Sequence, residues 1–389
     1  MPFNAALSTS RESSRALQEV CQRALSDFQG TPDLAFLFFS PHHTEAAQSL
    51  AREAQERLSA RCLLGCSGEA IVGNDQEIER DPAMSLWLGR WQEPVELEAF
   101  HLQLEQTADG YSLIGWPDAL LNADPAKASA LVLGDPFTFP VDAFLQQVNE
   151  DHSGLQVMGG MASGGRRPGQ CCLILGDRAH FEGAVGVLLQ GPVKLRTIVS
   201  QGCRPIGEHM VVTRAHDNII EELGGRPPLV RLQELWNGLN PRDQQLFQQG
   251  LHIGRVINEY QGAFQRGDFL VRNVLGLDRE TGALAITDHI RVGQTVQFHV
   301  RDAETADEDL RALLQRDVTT HEHRPGGALL FTCNGRGTRL FEEPHHDARA
   351  IRQQAGAVPL AGFFAQGEVG PVGGQNFIHG FTASVVLFE

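Results

Sequence analysis

One pattern recurs three times along the 389 residues: a short apolar run, a helix-start signal, an amphipathic stretch, a second apolar run and a glycine-rich break. In the first copy, Ala35-Phe36-Leu37-Phe38-Phe39 reads as a strand buried on both faces. Ser40-Pro41-His42-His43-Thr44 carries helix-start residues, and Ala46, Ala47, Leu50, Ala51, Ala54 and Leu58 share one helical face. Cys62-Leu63-Leu64 then opens into Gly65-Cys66-Ser67-Gly68-Glu69. The second copy runs from Ala130-Leu131-Val132-Leu133 through Pro140 and a short helix, Val141 to Val148, to Leu155-Gln156-Val157-Met158 and residues 159–165. The third runs from Ala328-Leu329-Leu330-Phe331 through Pro344-His345-His346 and a helix over about 347–354 to Val358-Pro359-Leu360 and residues 361–368. Strand-like runs follow each copy: Met84 to Leu88, Cys171 to Leu175 with Ala184 to Leu189, and Phe381 to Phe388.

A strand–helix–strand unit with a short helix implies neighbouring parallel strands, and the strands that follow make the sheets mixed. The expectation is an α/β (mixed αβ) protein of two domains, 1–224 and 225–389. Each is built of repeated strand–helix–strand units forming mixed sheets covered by helices. Arg214 to about Gly250 reads as helical, and strands resume after it, with a hairpin from Leu284-Ala285-Ile286 to residues 295–300.

Composition narrows the class of partner. Apolar residues make up 42% of the chain and charged residues 21%, enough for real cores. With 32 Lys+Arg against 48 Asp+Glu, the net charge of −16 argues against nucleic acid or an anionic membrane as a partner. No apolar run nears the roughly 18 residues of a membrane span. Met1 to Leu7 has no basic n-region, so no signal peptide is expected. Seven scattered cysteines fit a reducing compartment, and the expected location is cytoplasmic.

The glycine breaks are the candidate binding sites. Backbone amides of Gly65, Cys66, Ser67, Gly68 and Glu69 could converge on a ligand oxygen, and Gly160, Ser163 and Gly164 offer the same beside Arg166 and Arg167. Tight turns needing φ > 0 explain such glycines equally. Neither loop matches a phosphate-binding or nucleophile-elbow motif. Cys66, Cys203 and Cys333 sit beside glycine, either as activated thiols or as small packing residues. The Cys/His spacing fits no zinc pattern. Arg204, between Cys203 and Pro205, suits a fixed fork for a carboxylate.

Four motifs in order resemble the FIST family (F-box and intracellular signal transduction domains). In the N-terminal part they are Leu64-Gly65-Cys66-Ser67-Gly68-Glu69 and Ser200-Gln201-Gly202-Cys203-Arg204-Pro205-Ile206-Gly207. In the C-terminal part they are Phe331-Thr332-Cys333-Asn334-Gly335-Arg336-Gly337 and Pro359-Leu360-Ala361-Gly362-Phe363-Phe364-Ala365-Gln366-Gly367-Glu368. The resemblance implies a sensory module that binds amino acids or similar small metabolites, and some bacterial relatives are associated with haem. With no attached output domain, a separate signalling protein is the expected partner.

The expected function is therefore non-catalytic binding of a small anionic or zwitterionic ligand. Cys333, Asn334, Arg336, Gly367 and Glu368 join the first-half residues as its candidate contacts. Glu69, Arg204, Arg336 and Glu368 are expected to converge on one cleft between the domains, with no bound cofactor unless haem. A haem sensor and a cysteine-dependent enzyme are the alternatives.

Overall fold

The computed structural model describes residues 2–108 and 110–389. The chain forms two compact units, Met1–Val199 with Leu310–Glu389, and Ser200–Asp309.

The larger unit contains three versions of one module. The first comprises β1 (Phe3–Ser8), α1 (Ser13–Ser26), β2 (Leu34–Phe39), α2 (Ala47–Leu58), β3 (Cys62–Ser67), the hairpin β4 (Ile71–Gly73) and β5 (Gln76–Ile78), and β6 (Met84–Gly89). The second comprises β7 (Glu96–Thr107), β8 (Gly110–Ile114), β9 (Ala128–Gly134), α3 (Val141–Asp151), β10 (Gln156–Met161), the hairpin β11 (Leu173–Leu175) and β12 (Arg178–His180), and β13 (Ala184–Gln190). β14 (Leu195–Gln201) follows.

The smaller unit is a closed barrel with two helices. Its elements are β15 (Cys203–His216), β16 (Ile219–Leu223), α4 (Pro228–Gly238), α5 (Pro241–Gln249), β17 (Leu251–Val256), β18 (Phe269–Leu277), β19 (Leu284–Ile286) and β20 (Thr295–Arg301). The barrel order is β15-β16-β19-β18-β17-β20. Two expectations are corrected here. Residues 214–223 are not helical, because Asp217 at φ 49° lets the chain reverse and pair His216 with Ile219. Residues 284–286 and 295–300 do not form a hairpin, because closure pairs β19 with β16 and β18, and β20 with β15 and β17.

After α6 (Ala303–Thr320) comes the third module: β21 (Gly327–Cys333), α7 (His346–Ala355), β22 (Leu360–Ala365), the hairpin β23 (Glu368–Val372) and β24 (Gln375–His379), and β25 (Thr382–Phe388). In all three modules the strands flanking the helix are parallel neighbours: β2 with β3, β9 with β10, β21 with β22. Each first parallel strand is also paired antiparallel with the module's last strand, β6, β13 or β25.

The modules complete one another in a ring. The hairpin after each second parallel strand leaves its own sheet. β4–β5 adds to β22 of the third module, β11–β12 to β3 of the first, and β23–β24 to β10 of the second. No module therefore has a full sheet by itself.

Strand alternation explains the packing. Phe36 and Phe38 join Leu131, Leu133, Met158, Phe331 and Phe363 in one core shared by the three sheets. Leu37 and Phe39 point the other way, onto Leu17, Leu50 and Ala51 of α1 and α2. Phe144, Leu145 and Val148 cover the second sheet, and Leu314, Ile351 and Ala355 the third. Strands buried on both faces need continuous apolar sequence, which is why the three runs read as they do.

The recurring glycines lie inside strands. A Cβ on Gly65 would fall 2.2 Å from the carbonyl oxygen of Leu37, on Gly159 1.8 Å from that of Val132, and on Gly362 1.9 Å from that of Leu330. In each case the oxygen belongs to the residue directly opposite on the first parallel strand. Equivalent glycines at equivalent register are the structural mark of the repeat. In the second module the position falls on Gly159, with Gly160 beside it.

Candidate functional site

The strand ends after β3, β10 and β22 meet and use up one another's hydrogen-bonding groups. The Ser67 amide donates to the Cys172 carbonyl, the Gly68 amide to that of Phe39, and the Glu69 amide to Ser163 Oγ at 2.7 Å. Ser163 Oγ donates in turn to the Phe364 carbonyl, its amide donates to the Ser67 carbonyl, and Ser67 Oγ donates to the Ser163 carbonyl. The Met161 amide donates to the Gly367 carbonyl. Gly65, Cys66, Ser67, Gly68, Gly160, Ser163 and Gly367 thus sit in the seams between modules, and the amides named above have no capacity left for an anion. Gly164, at φ 86°, turns the chain beside Pro41.

Cys66 is fully buried, and burial, with the Cys171 and Cys172 thiols beside it, pushes its pKa well up. Glu69 pairs at the surface with Arg339. Arg204, in the smaller unit, is taken up by Asp243 and by Asp302, the latter at 3.0 Å. Each of the four charges expected in one cleft has a near partner of its own; Arg336 and Glu368 share a single cluster.

That cluster lies at the carboxyl end of β21, where α/β folds gather ligands. Beyond Cys333 the chain turns through Asn334 and Gly335 to Arg336, whose side chain is fully buried. Its Nε and Nη2 donate to Asp347 Oδ2 and Oδ1, both at 2.8 Å, in a bidentate fork. Asp347, in the first turn of α7, also accepts from Thr332 Oγ1 at 2.7 Å, and its Oδ1 is 2.9 Å from His346 Nδ1. Phe341 stacks on His346 with ring centroids 3.4 Å apart, and its ring lies 5.2 Å from the Arg336 guanidinium carbon.

Two buried glutamates flank the fork. Glu77, on the hairpin that arrives from the first module, accepts at Oε1 from the Ala348 amide at 2.8 Å. Glu368, at the start of β23, accepts at Oε2 from the Thr382 amide at 3.1 Å and hydroxyl at 2.7 Å. Burial would raise the Asp347 carboxyl, but Arg336 and the hydrogen bonds outweigh it and hold the group well below the usual range. Burial, then the Asp347 charge, pushes Glu77 up. Burial pushes Glu368 up to about 8 against the pull of Thr382 and Arg336. Cys333 rises to about 12, through burial and the neighbouring Glu368.

Among the described residues, three buried polar atoms in this cluster have no hydrogen-bond partner, Glu77 Oε2, Asn334 Oδ1 and Arg336 Nη1, and Glu368 Oε1 has at most the weak donor of the neighbouring Cys333 thiol. Natural interiors rarely leave such atoms unmet, and several together point to a bound group or water. Sequence reading found Cys333, Asn334, Arg336 and Glu368 here. It missed Glu77, Asp347, His346 and Thr382. An acidic residue in the first turn after Pro344-His345-His346 was the available signal for Asp347; Glu77, in a polar run, carried none.

The resemblance leaves haem open, and the Arg336 cluster does not fit it, because His346 is stacked on Phe341 and engaged at Nδ1 by Asp347. A haem ligand needs an imidazole facing an apolar cavity of that size. His216 lines a cleft of about 520 Å³, but beside Arg214 and with Nδ1 3.4 Å from the Glu221 carboxylate. Of the buried rings, His43 is engaged at Nδ1 by Ser13 Oγ and His299 at Nδ1 by the Gln297 carbonyl.

The chain belongs to the FIST family, sensory domains of signal transduction: the FIST N domain matches residues 33–226 and the FIST C domain residues 228–371. It is 43% identical over 389 residues to "Uncharacterized protein Rv0628c" of Mycobacterium tuberculosis, covering 100% of both chains. It is 41% identical over 389 residues to "Uncharacterized protein Mb0898c" of Mycobacterium bovis, covering 100% of this chain and 99% of that one. No helix among the described residues is long and apolar enough to cross a membrane.

Proposed function

We propose that this protein is a non-catalytic, cytoplasmic sensor of a small metabolite, an amino acid or a similar zwitterion, bound at the Arg336 cluster and signalling through a separate protein. The observation that carries the reading is the set of unpartnered buried polar atoms on Glu77, Asn334 and Arg336, beside Glu368 with only the Cys333 thiol near its free oxygen. Such atoms cost about 1–3 kcal/mol each when unmet, a debt that a ligand can cancel. The raised thiols of Cys66 and Cys333 argue against a cysteine nucleophile, which works as thiolate.

The test is a thermal-shift screen of amino acids and organic acids on the full chain, repeated on Glu368→Gln. A ligand at 100 times its Kd adds about 2.7 kcal/mol of stability. A shift in the wild type that the variant loses supports the reading; no shift with any compound ends it.

A further inference from the structure

Four hairpins of the larger unit close on residues three apart: Gly73 with Gln76, Leu175 with Arg178, Val372 with Gln375, and Thr107 with Gly110. In such a hairpin the closing pair turns its N–H and C=O groups inward. The next residue of the returning strand turns its own outward, to the edge of the sheet. In the three exchanged hairpins a side chain closes that position. The Glu77 amide donates to His345 Nδ1 at 2.9 Å, that of Ala179 to Gln48 Oε1 at 3.0 Å, and that of Asn376 to Asn149 Oδ1 at 2.8 Å. In the fourth the residue is Tyr111, on β8. Among the described residues nothing accepts from its amide or donates to its carbonyl.

The position is accessible. β8 ends the seven-stranded sheet, and β13 matches β7 only as far as Leu102, so residues 103–107 and β8 stand out as a two-stranded ribbon. Tyr111 and Leu104 are 71% and 42% exposed on it. Natural sheet edges are shielded by charge or proline, and Gly110-Tyr111-Ser112-Leu113-Ile114 has neither.

We propose that β8 is an interaction surface for a second copy of this chain: two β8 strands pair antiparallel about a two-fold axis at Ser112, joining two seven-stranded sheets edge to edge. The strand is complementary to itself. Turned about Ser112, Tyr111 falls opposite Leu113 of the second copy, and these are the residues whose N–H and C=O face outward. The Leu113 carbonyl already accepts from Trp116 Nε1 at 2.9 Å and has a second lone pair for the new bond. Each Tyr111 ring then lies across from a leucine, a favourable cross-strand pair. Charge selects the same place. Each copy carries −16, yet β8 has no charged residue. Glu105, opposite Ser112 on β7, would lie three strand spacings from its mate, about 14 Å, beyond a Debye length of about 8 Å.

The experiment is sedimentation velocity on the full chain from about 1 to about 200 µM, with oxidative cross-linking of cysteine variants. A short strand buries little area, so a weak dimer is expected, with a Kd of about 10–100 µM. Tyr111→Lys, at an exposed position, sets like charges across the axis and should weaken the dimer by about tenfold or more. In the proposed pairing the two Ser112 residues form the close pair, with Cα atoms about 4.5 Å apart, inside disulfide range. Ser112→Cys should therefore cross-link with oxidised glutathione, which takes up the two electrons and two protons as reduced glutathione; Glu105→Cys should not. A chain monomeric across that range overturns the proposal and leaves the edge to a strand of a different protein. A dimer that Tyr111→Lys leaves intact, or in which Glu105→Cys cross-links as readily as Ser112→Cys, uses another surface and overturns it too. If Tyr111→Lys fails to fold, the two cysteine variants decide.

Discussion

Glu77 and Ala348 meet across two modules: the carboxyl of a residue early in the chain caps the first turn of a helix near its end, with Oε1 2.8 Å from the Ala348 amide. Helix N-termini leave four amides without intrahelical partners. Here one of them is satisfied by a side chain that only the exchanged β4–β5 hairpin can deliver, so the packing of the third module and the placing of the Arg336 cluster are one event.

Removing the Arg336 charge should be among the most damaging single changes in the larger unit. Arg336→Met leaves Asp347 ionised and buried, and is expected to cost about 3–5 kcal/mol in urea denaturation. Arg336→Met with Asp347→Leu should recover most of that loss. A double variant no more stable than the single one would show that the fork is not the main term.

The repeat predicts a matched pair of intolerant glycines. Gly65→Ala and Gly362→Ala place a methyl against a neighbouring strand carbonyl at 2.2 Å and 1.9 Å, which the core can relieve only by parting its strands. Each should cost about 3 kcal/mol or more. Gly238, at the end of α4, has nothing within 4 Å of the added atom, and Gly238→Ala should stay within about 1 kcal/mol of the wild type. Denaturation midpoints compare the three directly.

Glu368 predicts a pH dependence of stability. In the unfolded chain a glutamate titrates near about 4.3, whereas in the folded protein this one holds its proton up to about 8. Between those values the native state binds a proton that the unfolded state has lost. Its contribution to stability therefore falls as pH rises through that window and is level outside it. Glu77, also raised, adds in the same direction; Asp347, held low, acts only in more acid solution. Glu368→Gln cannot titrate and should gain on the wild type progressively, by about 3–4 kcal/mol from pH 5 to pH 8, read from melting curves across that range. A constant difference would place the proton elsewhere.

Native thiols should be inert at neutral pH. Cys21, Cys62, Cys172 and Cys333 are each pushed up to about 12, chiefly by burial, and burial raises Cys66 well above the usual thiol value. A disulfide-exchange reagent at pH 7 should label these five only as the protein unfolds. Rapid labelling of Cys66 or Cys333 in the folded state would restore the nucleophile reading.

The sequence displayed the parallel pairs plainly, because a strand buried on both faces must be apolar throughout. Phe36 to Phe39 could hardly lie anywhere else. The glycines were legible as a repeat but not as a role: Gly65 and Gly362 look like loop residues because a strand glycine facing a neighbour's carbonyl has no local signature. The exchanged hairpins were hidden for a related reason. Ile71 to Ile78 carries turn chemistry, with Asn74 at φ 54°, but its partner strand, β22, lies almost a full chain length away. Long-range pairing of that kind leaves no periodicity to read. Half the cluster was visible for its glycine-flanked charges; Glu77 and Asp347 were not, since their burial is a product of that same exchange.

The ring of borrowed hairpins also sets a timetable for synthesis. A chain leaving the ribosome makes β4–β5 before the second module, the barrel and β21, and the strand it must join, Leu360–Ala365, comes after all of them. Until then the first module carries a hairpin without a sheet, and until β11 is made its β3 edge is open. Unpaired strand edges are where nascent chains adhere to one another. A truncation before β22 would not yield a smaller version of this unit with one module missing; it would leave every remaining module unfinished or unanchored, and a cell making it would need a holding chaperone for the whole of its length.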